Sequence, residues 1–132
     1  MSKIEKKLLE RRKHIRLPAE IPFCYAAAEC NAIEKGTTKN ISAEGIGFET
    51  GNKGLKEDDI LELNLRIPAS PNPVHARGRV VWKKKTETDD AAPFDVGVEF
   101  VSIEEDNKNT FLKFLCDMIY NLRQEGTHEK KG

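Results

Sequence analysis

Charge of one sign is what this chain lacks: 22 Lys and Arg balance 22 Asp and Glu over 132 residues. A net charge of zero argues against a general polyanion binder, so any site for an anion must be local. Aromatic residues are scarce, at 7%. That scarcity speaks against a basic sheet face set with stacking rings for RNA. Cysteine is limited to Cys24, Cys30 and Cys116, without CxxC spacing. An odd set of scattered thiols reads as reduced, buried cysteines of a cytoplasmic protein. No apolar run nears the roughly 18 residues needed to span a bilayer, and the N-terminus has no apolar signal core. The sequence contains neither a Walker loop nor a nucleophile elbow. His14, His75 and His128 have no acid or thiol partner at useful spacing. The acid pairs Asp58-Asp59 and Asp89-Asp90 have no matched base. The pattern is therefore not that of an enzyme or a metal site.

One domain is expected at this length, with about two-thirds of the unfolded surface buried. Residues 1–10 form a lead, helical or disordered, in which Ile4 and Leu8 share one face. Arg11-Arg12-Lys13-His14-Ile15-Arg16 follows, four permanent positive charges in six residues with no acid among them. Taken alone it is a solvated basic segment. Pro18 and Pro22 then force an extended path.

Strands are expected over Phe23–Cys30, Thr37–Ile41 and Ile46–Thr50. Leu61, Leu63, Leu65 and Ile67 alternate with polar residues and mark a fourth strand. Val74–Lys84 is a fifth, and Phe94, Val96, Val98 and Phe100 mark the sixth. Ser102-Ile103-Glu104-Glu105 has the form of a helix capping box. Phe111, Phe114, Leu115, Met118, Ile119 and Leu122 then form an apolar helical stripe, with Gly126 as the expected stop. The fold class is thus all-β dominated: a six-stranded antiparallel small barrel with a C-terminal α-helix and a flexible N-terminal arm. The domain should run over residues 11–124, with a disordered tail over 125–132.

A second motif lies at the end of the second strand: Asn40-Ile41-Ser42-Ala43-Glu44-Gly45. Alone it is an ordinary turn, closed by short polar side chains and a glycine able to take a positive φ. If the first two strands form an antiparallel hairpin, the basic run hangs over this turn. Arginine forks would then face Asn40, Ser42 and the Gly45 backbone. Such forks bind phosphate and the O6/N7 edge of guanine bidentately and stack on bases.

These two motifs resemble those of the PilZ domain family, the cyclic di-GMP receptor modules of bacteria. The family's RxxxR arm is matched by Arg12-Lys13-His14-Ile15-Arg16, and its [D/N]xSxxG turn by Asn40 to Gly45. Gly78-Arg79-Val80-Val81-Trp82 and Val96-Gly97-Val98-Glu99-Phe100 are similar to late-barrel patterns of the family. The resemblance implies that Arg12 and Arg16 contact the guanines and phosphates of cyclic di-GMP. It implies that Asn40, Ser42 and Gly45 receive the other guanine and the ring. Asn40 stands where an acid is commoner, which weakens its pairing with guanine N1–H and N2–H2. Arg11 would engage a second, intercalated nucleotide. Trp82, Arg77, Arg79 and Gly97 are secondary contact candidates, a core cap being the plainer reading of Trp82 and a solvated strand face that of Arg77 and Arg79.

The implied function is a receptor that changes conformation on binding, its arm folding over the barrel, and signals to a protein effector. It implies no nucleic acid polymer as partner and no membrane insertion. A PilZ-type adaptor that binds protein but no nucleotide is the alternative.

Overall fold

A computed structural model of the chain describes residues 16–27, 32–68, 70–88 and 92–131, with helix side chains described to residue 121. The lead over 1–10, Arg11, Arg12, His14, Cys30 and the Asp89-Asp90 pair lie outside the described residues. So do the side chains of Leu122 and His128.

Among the described residues seven strands run in chain order: β1 (Leu17–Pro18), β2 (Pro22–Ala27), β3 (Glu34–Ile41), β4 (Gly45–Thr50), β5 (Ile60–Leu65), β6 (Val74–Lys85) and β7 (Phe94–Ile103). A helix, α1 (Glu105–Lys131), follows them. The strands pair in the order β1-β3-β2-β5-β6-β7-β4, and β4 pairs back onto β3. Six strands thus close a barrel as expected, and β1 is an extra two-residue strand on β3. Burial strictly alternates from Leu61 to Leu65 and from Val74 to Val80, the signature of a sheet with one face inside. The barrel is filled by Phe23, Tyr25, Phe48, Ile41, Ile46, Val80, Val96 and their neighbours. Phe23 and Phe48 meet edge to face at 4.9 Å.

The strand expected over Phe23–Cys30 begins at Pro22 and is described to Ala27. The strand expected from Thr37 begins at Glu34 instead, because Lys35 and Gly36 pair with Cys24 and Phe23.

β1 and β2 are two pieces of one strand path along β3, broken at Ala19–Ile21. Pro18 and Pro22 frame this break, and neither can donate a ladder bond. Thr38 bridges it from β3. Its buried hydroxyl donates to the Ala19 carbonyl at 2.6 Å and accepts from the Ile21 amide at 2.9 Å. That bridge keeps the chain on β3 long enough for Leu17 to pair with Ile41.

The capping box is not used. Ser102 lies in β7, opposite Arg77, and α1 starts at Glu105 after a turn whose carbonyl is that of Glu104. The β6–β7 ladder continues through Ile103 and takes the backbone groups a cap would need. His75 fixes the helix start by accepting from the Glu104 amide and donating its own amide to Asn107 Oδ1. Phe111 and Leu115 are fully buried, and Phe111 meets Phe100 edge to face at 5.3 Å. The helix runs past Gly126, the expected stop, to Lys131. A glycine ends a helix by turning left-handed, and no described glycine has a positive φ.

Candidate functional site

Two adjacent rows of residues cross the outer wall of the barrel over β1, β3, β4, β7 and β6. The first row is Pro18, Asn40, Gly47, Gly97 and Trp82, each opposite the next. The second contains Gly45, Glu99 and Arg79 in the same way. Continuing the β1–β3 register by one residue sets Arg16 level with Ser42, and Ser42 bonds across to Gly45. From Asn40 on β3 to Trp82 on β6 is three strand spacings, about 14 Å.

The floor of this patch is glycine. A Cβ on Gly47 would fall 2.8 Å from Asn40 Oδ1, so the Asn40 amide lies directly over it. A Cβ on Gly97 would fall 2.2 Å from Trp82 Nε1, so the Nε1–Cζ2 edge of the indole lies over that glycine. Gly45 is required for a different reason from the positive φ expected of it. Its φ is ordinary, but a Cβ there would strike the Val98 carbonyl at 1.8 Å.

Both flanking side chains sit at β-bulges. The β3–β4 register slips between Thr38 and Asn40, and the β6–β7 register slips between Val80 and Trp82. A bulge sets two residues against one and re-aims the side chains there. At the first bulge Lys39 is the extra residue, anchored by Asp95 at 2.9 Å and Glu49 at 3.3 Å. Its hydrogen bonds to Asp95 and then Glu49 hold the ammonium's pKa above its ordinary value. Asn40 is left to face the arm.

There Arg16 Nη1 donates to Asn40 Oδ1 at 3.0 Å, an exposed contact across 24 residues of sequence. The basic run and the turn do meet, at Arg16. Ser42 is buried, and its hydroxyl accepts from the amides of Glu44 and Gly45 at 3.2 Å each. In this structure it shapes the turn. Trp82 remains 38% exposed, so part of the indole is open to solvent.

Of the expected site residues, the fold assembles Arg16, Asn40, Ser42, Gly45, Gly97, Trp82 and Arg79. Arg77 falls outside the two rows, and its Nε and Nη2 both contact Glu62 Oε1, at 2.9 and 2.8 Å. Arg79 Nη2 meets Glu99 Oε2 at 3.3 Å. Sequence reasoning missed Gly47 and Glu99. Gly47 had a signal, as a side-chain-free position on the outward phase of Ile46-Gly47-Phe48. Glu99 had none, because its place depends on the register of two other strands.

Among the described residues, no group of three or more His, Cys, Asp or Glu is disposed to hold a metal ion. No helix among them is long and apolar enough to cross a membrane.

The same architecture occurs in solved structures. Klebsiella pneumoniae MrkH matches with a TM-score of 0.69 at 18% identity, covering 86% of this chain and 51% of that one. The Bacillus subtilis inhibitor of motility, MotI, matches with a TM-score of 0.66 at 16% identity, covering 81% of this chain. The present chain thus spans about half of these two proteins, 50% of MotI and 51% of MrkH. The PilZ domain of Escherichia coli YcgR, solved with c-di-GMP, matches with a TM-score of 0.63 at 12% identity, covering 86% of this chain and 95% of that one. At such identities the likeness is one of fold. No curated protein matches by sequence. The sequence model of the PilZ domain matches residues 10–116, from just before the basic run to the buried part of α1. The chain belongs to the PilZ domain family.

Proposed function

We propose that this protein is a cytoplasmic cyclic di-GMP receptor, not an enzyme, that passes the binding event to a partner protein. The observation that carries this reading is the contact between Arg16 and Asn40 at the edge of a floor made of Gly47 and Gly97. A guanidinium with donors to spare stands beside two planar groups, the Asn40 amide and the Trp82 indole, seated close against glycine backbone where a flat base can meet them. The pairing of c-di-GMP with a PilZ domain of like fold in YcgR supports the choice of ligand. The free thiols Cys24 and Cys116 support a reducing compartment.

Arg16 and Arg12 bind guanine and phosphate, Asn40 and the Ser42–Gly45 turn seat the ring, and Arg11 takes a second nucleotide where two are held. Trp82 closes the far end as a stacking surface. Ligand closes the arm onto the barrel, and the partner protein reads that new surface.

Calorimetric titration with cyclic di-GMP tests the reading. Binding in the micromolar range or tighter is expected, and Arg16→Ala should weaken it at least tenfold, since a bidentate Arg–guanine pair contributes about 1–3 kcal/mol. No heat at high micromolar ligand would overturn the proposal.

A further inference from the structure

The patch has a guanidinium–oxygen pair at each end. Arg16 meets Asn40 Oδ1 at 3.0 Å on the β3 side, and Arg79 meets Glu99 Oε2 at 3.3 Å on the β7–β6 side. Between them lie the glycines of β4 and β7. From Asn40 to Glu99 is two strand spacings across and one row along, about 12 Å. A ligand with two identical bases on one ring finds a donor–acceptor pair for each base.

The two pairs differ in chemistry. Guanine presents N7 and O6 as acceptors and, next along the same perimeter, N1–H and N2–H2 as donors. An arginine fork satisfies the first two, and a carboxylate accepts from the second two. Adenine has an acceptor at N1 and would face a carboxylate unfavourably. Asn40 has one carbonyl oxygen, already accepting from Arg16, and its NH2 is a donor. Asn40 therefore cannot supply two acceptors to N1–H and N2–H2. Glu99 can. Its side chain is 53% exposed, and Arg79 holds it through one contact, not a bidentate fork. Such exposed pairs are weak and are easily rearranged around a ligand.

We propose that Glu99, positioned by Arg79, reads the second guanine and carries the selectivity for guanine over other purines at this site. The inference rests on the cyclic di-GMP reading above. Calorimetry with two ligands separates the two: cyclic di-GMP, and cyclic di-IMP, the same ring lacking the exocyclic amines. Glu99→Gln keeps the shape but replaces one acceptor with a donor. The variant should bind cyclic di-GMP about 10- to 100-fold more weakly, the range expected for losing hydrogen bonds to a charged group. The cyclic di-GMP to cyclic di-IMP affinity ratio should fall by about tenfold, since the one oxygen that Gln keeps can still accept N1–H of either base, whereas only guanine loses a second contact, at N2. Glu62→Gln, which breaks a similar ion pair off the patch, should leave both affinities unchanged. Thermal melting of Glu99→Gln confirms the fold. Equal affinities in Glu99→Gln and the wild type, or a parallel loss for both ligands with an unchanged ratio, would overturn the role of Glu99 alone. Absence of binding to either ligand by the wild type would overturn the cyclic di-GMP reading with it.

Discussion

One methyl group added at Gly97 should dismantle the Trp82 end of the patch. A Cβ there would lie 2.2, 2.3 and 2.8 Å from Nε1, Cε2 and Cζ2 of the indole. Comfortable carbon contacts begin near about 3.5 Å, so the ring must retreat by more than about 1 Å. The backbone cannot yield, because Gly97 is paired on both sides, to Gly47 and to Trp82 itself. Trp82 is already 38% exposed, so it can rotate outward. Uncovering about 70 Å² more of it costs about 2 kcal/mol at ~25 cal/mol per Å². The melting temperature of Gly97→Ala should accordingly fall by about 4–8 °C. Trp82 is the one tryptophan of the chain, so its emission reports on this site alone and should shift to longer wavelength. Cyclic di-GMP affinity should drop about tenfold or more, the scale of one lost base–aromatic stack. Gly51→Ala is the control, because a Cβ there meets nothing within 4 Å. If Gly97→Ala keeps the wild-type emission maximum and melting temperature, the indole does not rest on Gly97, and the geometry argued for this end of the site is wrong.

Two further outcomes test the frame around the site. Thr38→Val removes the hydroxyl that joins Ala19 to Ile21 and leaves two backbone groups unpaired. Denaturant unfolding should register a loss of about 1–3 kcal/mol. Because Leu17 pairs beyond that bridge, cyclic di-GMP affinity should fall too; a stability loss with intact affinity would detach β1 from the binding argument. Tyr25 is pushed up to about 12, chiefly by burial and then by its hydrogen bond to Glu34. A raised value means the folded state holds the phenol proton more tightly than the unfolded state does. That stability is complete below pH 10 and is lost as pH rises from about 10 to 12, about 2–3 kcal/mol in all. Tyr25→Phe should lack this alkaline component in pH-dependent denaturation. An identical alkaline slope in both proteins would refute it.

The barrel was legible because its strands carry their own burial code. Leu61, Leu63 and Leu65 alternate with polar residues, and that period alone decides which face turns inward. The apolar stripe of α1 was legible for the same reason. Ser102 misled, since a capping signature competes with a strand ladder, and β6 offered the ladder. Arg16 and Asn40 were brought together by a simple hairpin argument, although the strand that does so is the two-residue β1, too short for any periodicity to announce. The bulges beside Asn40 and Trp82 were not legible at all. A bulge is a mismatch in residue count between two strands, so neither strand's sequence contains it.

Those bulges explain how a small, fully packed barrel offers a binding surface without giving up its core. Val80, Val96, Val98 and Ile46 are all buried beneath the patch, so the apolar core lies directly under it. An unbroken outer wall would instead present a regular comb of side chains. Here the register slips re-aim Asn40 and Trp82, and Gly47 and Gly97 let these two side chains lie close against the backbone from opposite sides. The polar groups that a ligand could meet are thereby moved to the rim, where Arg16 donates to Asn40 on one side and Trp82 stands exposed on the other.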